Sequence, residues 1–271
     1  LLLFCQSLYA HLILQFDING TLIAMDSATH ADLSHYLNRI LYEHVYPSPP
    51  ALSKEERYYF LDHLRAIDDP HLEEMEERYH EMWEKLGGEN KVFPSFFKLL
   101  DYLEDEQISY SLSLRTFGWD LEETREQIED IHPHFFKNSG YFRQNVLHLE
   151  GQPPISSLHI QYELLADHNF ALRDDFTYWS SHNREARYGK PLLIDPLSED
   201  DFPLFFDDNI PKDPHSLYGI VDPIDVRTGL HLPPACVSHH LLHVNTAQAI
   251  LDDNYFIDLV EEALTYNKVA A

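Results

Sequence analysis

The segment LILQFDINGTL (residues 12–22) constrains the fold more than any other part of the chain. Leu12, Ile13, Leu14 and Phe16 form a short, nearly unbroken apolar run, as expected of a central strand covered on both faces, and Gly20 supplies a sharp exit. Asp17 and Asn19 therefore stand at the carboxyl end of a strand. In open parallel α/β sheets the ligand crevice lies outside those ends. A carboxylate there can serve chemistry, or it can form a turn by bonding its own backbone.

Beyond that strand, residues 27–90 carry three helix-like stretches: HADLSHYLNRILYEHV, SKEERYYFLDHLRAI and PHLEEMEERYHEMWEKLGG. Leu33, Leu37, Ile40 and Leu41 recur at three- and four-residue spacing, and Gly87-Gly88 closes the run. FPSFFKLLDYLEDEQ (93–107) predicts an amphipathic helix with Pro94 in its first turn, and ISYSLSLRTFG a strand after it. Helix followed by strand is the alternation of a parallel sheet. Residues 119–190 are mixed and polar, FPLFFDD and LYGIVDPIDV predict two further strands, and the tail from Leu241 predicts helix. The expected fold is a three-layer α/β/α Rossmann-like core (10–26 and 91–271) with a mostly parallel sheet. Residues 27–90 form an inserted helical cap over its carboxyl edge.

Nineteen basic residues against 46 acidic ones give a formal net charge of −27. Such a surface repels polyanions, which argues against nucleic acid and anionic membranes as partners. Cys5 and Cys236 are too few and too far apart for a disulfide framework or a thiolate zinc site, so a reducing, cytoplasmic setting is expected. The opening LLLFCQSLYAHLILQF is interrupted by Gln6 and His11 and predicts neither signal peptide nor membrane span. Nothing in the chain predicts an oligomeric state.

Several chemical groups stand at other expected strand ends. Ser113, Thr116 and Gly118 close the second strand, Lys190 sits in YGKPLLID, and Asp207 and Asp208 end FPLFFDD. Two carboxylates can hold Mg²⁺, while a hydroxyl and an ammonium can hold a phosphoryl group. The remaining polar clusters have plainer readings. His239, His240 and His243 lack a third ligand, His132 and His134 flank a proline, and Arg173-Asp174-Asp175 suits a helix start or a surface pair. Asp222 and Asp225 suit either the crevice or a turn around Pro223.

The set FDINGTL, LRTFG, GKP and FFDDN, in that order, resembles the haloacid dehalogenase-like superfamily of phosphatases and related hydrolases. The resemblance implies Asp17 as nucleophile, Thr116 and Lys190 as phosphoryl partners, and Asp207 with Asp208 as the acidic motif, Asp208 being the direct metal ligand. Arg184 and Arg187 are alternative sources of the basic charge. Mg²⁺ would be held by Asp17, the Asn19 carbonyl and Asp208, with Asp207 beside them. Gly20, Thr21, Thr116, Phe117 and Gly118 would surround a phosphate monoester, carried by a small molecule or a phosphoprotein.

Asn19 stands where phosphatases of that family have a second Asp. An amide keeps the metal-binding carbonyl but cannot give or take the catalytic proton, a transfer worth about 10²- to 10⁴-fold. A weak or inactive member that binds a phosphorylated ligand or a protein is therefore one alternative. Metal-independent dehalogenation is another, against which Asp207 and Asp208 count. Buried beside Asp17, they would repel its charge unless a cation is present.

Overall fold

The computed structural model describes residues 11–29, 31–213, 215–216 and 219–270. Cys5 and most of the apolar opening lie outside the described residues. The chain folds as an α/β protein around a seven-stranded, mostly parallel sheet. Its strands are β1 (His11–Asp17), β2 (Tyr110–Thr116), β3 (Asn138–Arg143), β4 (Val146–Leu149), β5 (Phe170–Arg173), β7 (Asp201–Asp207) and β9 (Leu241–His243). They lie in the order β4-β3-β5-β2-β1-β7-β9, and only the β3–β4 pair is antiparallel. The strands β6 (Lys190–Ile194) and β8 (Val221–Asp225) pair with each other in a separate two-stranded sheet.

Side-chain alternation explains why β1 occupies the centre. Leu12, Leu14 and Phe16 face one layer while Ile13 and Gln15 face the other, and all are buried. Leu112 and Leu114 of β2, and Phe202, Leu204 and Phe206 of β7, join the first face. Phe16 stacks on Phe206 with ring centroids 4.1 Å apart, so the two central strands are locked in register by aromatic contact.

The insertion after β1 contains α1 (Leu33–Ile40), α2 (Lys54–Arg57), α3 (Phe60–Ala66) and α4 (Leu72–Lys85). Asp32 and Ser53 form capping boxes with His35 and Glu56, which set two of the helix starts. Leu33, Leu37, Phe60, Leu64, Met75 and Met82 belong to the same hydrophobic cluster as the first face of the sheet. The insertion thus shares its core with the sheet.

The chain continues through α5 (Pro94–Asp105), α6 (Leu121–Glu129), α7 (Leu158–Asp167), α8 (Phe176–Ser181), α9 (Thr246–Leu251) and α10 (Tyr255–Ala270). Buried residues of α5, α6, α9 and α10 cover the first face. Tyr162 and Leu165 of α7, with Leu193 of β6 and Ile224 of β8, cover the second. Two expectations need correction. The strand expected at 217–226 is the shorter β8, outside the main sheet, with Leu217 and Tyr218 outside the described residues. The tail opens with the edge strand β9 before it turns helical.

Candidate active site

Three carboxylates meet at the carboxyl ends of β1 and β7. Asp17 closes β1, Asp207 closes β7, and Asp208 follows it; one carboxylate oxygen from each lies within 4.8 Å of the others. Lys190, fully buried at the start of β6, is hydrogen-bonded to Asp17 Oδ1 and donates to Asp207 Oδ2 at 2.8 Å. Its ammonium also lies 5.2 Å from the ring of Phe117 and 5.7 Å from that of Phe205. The lysine reaches this edge because β6 packs against β7, with a loop between them.

Charge balance in this pocket is uneven. Burial raises the Asp17 pKa to about 7; Lys190 opposes the rise and Asp207 adds to it. Asp208 is held well above the carboxylate range by burial and by the charges of Asp207 and Asp17. Burial works against the Lys190 ammonium, but Asp17, Asp207 and Asp174 outweigh it and keep the lysine protonated. One ammonium therefore faces three carboxylates.

That surplus is the test of whether a divalent cation suits the site, and it does. Hard oxygen ligands of this kind suit Mg²⁺, and its charge would relieve the repulsion that lifts Asp17 and Asp208. Asp207 has both oxygens engaged, one by Lys190 and one by the Asn209 N–H at 2.8 Å. Asp208 accepts from Asn209 Nδ2 at 2.7 Å, and its other oxygen faces Gly20. Gly20 has φ +81°, and a Cβ there would stand 2.5 Å from Asp208 Oδ2. The glycine lets the two loops close on one another.

Other expected site residues have structural partners. The Thr21 hydroxyl accepts from the Asp208 N–H at 3.0 Å, and Thr246 Oγ1 donates to the Gly20 carbonyl at 2.6 Å. Both bonds hold the loop after β1 against its neighbours. Thr116 Oγ1 accepts from the Gly118 N–H at 2.8 Å and donates to Asn19 Oδ1 at 3.4 Å. A Cβ on Gly118 would approach Asn19 Oδ1 to 2.9 Å. Phe117 stacks on Trp179 and forms an apolar wall beside Lys190.

Asn19 is held by a residue that the sequence reading missed. Its Nδ2 donates to Asp120 Oδ2 at 2.7 Å and to the Met25 carbonyl at 2.9 Å. Asp120 is buried, and it also accepts from the Ser27 N–H. Asp120 precedes α6, where an acidic residue is an ordinary helix start, so nothing in the sequence marked its carboxylate as turned toward Asn19. Arg115 was missed as well. Fully buried, it forms a bidentate pair with Asp174 at 2.6 and 3.1 Å and bonds Gln15 and the Pro191 carbonyl.

The remaining clusters separate from the site. Asp174 is buried, which corrects its reading as half of a surface pair, while Asp175 does start a helix by accepting from the Tyr178 N–H. His240 and His243 bond the carbonyls of Pro203 and Ile210, and His239 and His243 do not share a helix face because the segment is a turn followed by β9. His134 has a left-handed backbone at φ +63°, as a loop residue can. Asp222 pairs with His231 at 2.8 Å, Asp225 accepts from the turn at Arg227 and Thr228, Arg187 pairs with Glu185, and Arg184 lies over Trp179.

A cleft of about 210 Å³ opens beside Asn19, Gly20 and Asp208 and is closed by Tyr36, Arg39 and His44 of the insertion. Arg39 and Arg57 both pair with Glu43, at 2.9 and 3.1 Å. Burial lowers the His44 pKa to about 4, so its imidazole is neutral at physiological pH. Comparison with protein-family models, with curated proteins and with solved structures finds no match to the chain.

Proposed function

We propose that the protein is a Mg²⁺-dependent phosphohydrolase of the haloacid dehalogenase type, acting on a phosphate monoester through an aspartyl-phosphate. One observation carries this reading: Asp17, Asp207 and Asp208 gather around Lys190 at the carboxyl edge of a parallel sheet. Asp17 attacks the phosphorus in line while the leaving oxygen departs on the opposite side. Lys190 favours the ionised nucleophile against the effect of burial and balances charge on the phosphoryl oxygens. Asp17, Asp208 and the Asn19 carbonyl would hold Mg²⁺, which supplies positive charge against the phosphate. Thr116 orients the phosphoryl group, and the leaving group extends into the cleft under Arg39 and Tyr36. Water then cleaves the acyl phosphate and regenerates Asp17.

The leaving oxygen gets its proton from solvent in this scheme, because the Asn19 carboxamide is neutral and already bonded to Asp120 and Met25. Turnover is therefore slow, and fastest for leaving groups that need no proton, such as aryl oxides. The substrate is a small phosphorylated molecule or a phosphoprotein, and a reducing cytoplasm suits the exposed thiol of Cys236. The same locked carboxamide favours a second reading, a binding protein for a phosphorylated ligand.

Steady-state hydrolysis of 4-nitrophenyl phosphate with and without Mg²⁺ separates the two. Metal-dependent turnover that Asp17→Asn abolishes, with the fold intact by circular dichroism, is the expected result. Phosphate binding without turnover in the unmodified chain would favour the binding protein. Chloride release from a haloacid would favour dehalogenation.

A further inference from the structure

On the far side of the β2–α6 turn lies a second cleft, of about 1440 Å³, between the β3–β4 hairpin and α8. Trp119, Tyr141, Arg143, His148, Arg173 and Phe176 line it. Trp119 is 71 % exposed, and Tyr141 and Phe176 are about half exposed. Single exposed aromatic residues need no explanation, but three in one concavity mark a contact surface. Tyr141 and His148 are stacked face to face at 4.7 Å, so that wall is already flat.

Arg173 and Arg143 sharpen the chemistry. In a chain with net charge −27, arginines are readily matched by carboxylates, as Arg115 is by Asp174. Yet neither Arg143 nor Arg173 forms an ion pair with any described residue. Arg173 lies 4.5 Å over the Trp119 ring, and its Nε is buried without a hydrogen-bond partner. The guanidinium thus carries its charge without a carboxylate to balance it, and an anion in the cleft would supply one. Of the acids lining the same cleft, Asp174 is held by Arg115, Asp175 caps α8 and Glu122 faces Arg125, while Glu150 is exposed.

We propose that this cleft binds a small planar aromatic anion, its ring stacked on Trp119 and Tyr141 and its carboxylate or phosphate held by Arg173 and Arg143. The chain's charge works against a polyanion here, so the ligand is a compact molecule of one or two rings. The cleft shares the wall residue Phe117 with the acidic crevice but is lined by none of its three carboxylates, and the proposal does not depend on the phosphohydrolase reading.

Isothermal titration of the full chain carrying Asp17→Asn, which removes the proposed nucleophile, tests this with 2-naphthoate and 1-naphthyl phosphate. Cyclohexanecarboxylate and inorganic phosphate serve as probes lacking the planar ring. Both aryl anions should bind, each at least about 10-fold more tightly than its counterpart, because the planar ring adds stacking on the aromatic walls to the contact of the anion. Arg173→Gln and Trp119→Leu should each weaken 2-naphthoate by about 10-fold or more, with circular dichroism unchanged. Unchanged affinity in both variants would overturn the proposal, as would inorganic phosphate binding as tightly as the aryl anions. Binding of 2-naphthoate that Asp208→Ala removes and Arg173→Gln spares would put the ligand in the acidic crevice instead, and would also overturn it.

Discussion

Asn19 concentrates the chemical ambiguity of this protein in one side chain. Aspartate at that position is nearly isosteric and would restore a proton donor, but Asp120 Oδ2 sits 2.7 Å from the atom that would become a carboxylate oxygen. Two carboxylates at that distance repel, raise one another's pKa and disturb the loop that Asp120 holds through Ser27. Asn19→Asp alone is therefore expected to change turnover of an alkyl phosphate little. Adding Asp120→Asn returns a donor to the pair, and the double variant should gain about 10- to 10²-fold over the unmodified chain, roughly 1.4 to 2.7 kcal/mol of barrier. An aryl phosphate should gain less, since its leaving oxygen needs less help. Equal rates for all three proteins on an alkyl phosphate would show that proton transfer at this position does not limit the reaction. The pairing explains why the sequence understated this residue: Asn19 could be read as a loss, but its partner lies 101 positions away.

At the scale of elements, the central strands and the helix before β2 were legible because each carries an apolar run, an alternation or a helical spacing long enough to recognise. The expected helix 93–107 is α5, Pro94–Asp105, and the apolar runs ending in Asp17, Thr116 and Asp207 are β1, β2 and β7. The strands β5, β6 and β9 were not, since FALR, KPLLI and LLH are too short to show a period. What holds such short elements is tertiary. Arg115 of β2 grips Asp174 beyond the end of β5, and the Asp174 N–H donates to the Thr116 carbonyl at 2.7 Å. Removing one partner of a buried ion pair leaves the other charge unbalanced, so Asp174→Asn should destabilise the fold by about 3–5 kcal/mol in urea unfolding. It should also displace Thr116 and weaken phosphate binding. A loss under 1 kcal/mol would mean that Gln15 and the Pro191 carbonyl suffice for the guanidinium. Lys190 belongs to the same lesson. An isolated lysine in a sequence is usually solvated, and only the packing of β6 on β7 turns this one inward.

Across the whole molecule, acidic excess and the acidic cluster of Asp17, Asp207 and Asp208 act in the same direction, and both should make stability depend on cations. No described helix is long and apolar enough to cross a membrane. Because the insertion and the sheet share one hydrophobic cluster, the state of the crevice should be felt in a single unfolding transition. Asp17 has its folded pKa raised from 3.8 to about 7. Its contribution to stability is therefore full below the unfolded value and is lost as pH rises through about 7. Mg²⁺ requires the ionised form, so protons compete with it over that same interval. At 100 times its dissociation constant a ligand adds about 2.7 kcal/mol, which for a chain of this size raises Tm by roughly 5–10 °C. The expected increment at saturating Mg²⁺ is larger at pH 8 than at pH 6, and Asp208→Ala should remove most of it. Ionic strength must be matched with NaCl, because screening a net charge of −27 stabilises the chain without any site. If NaCl at equal ionic strength gives the same increment, or if the increment grows toward pH 6, the three carboxylates do not form a cation site.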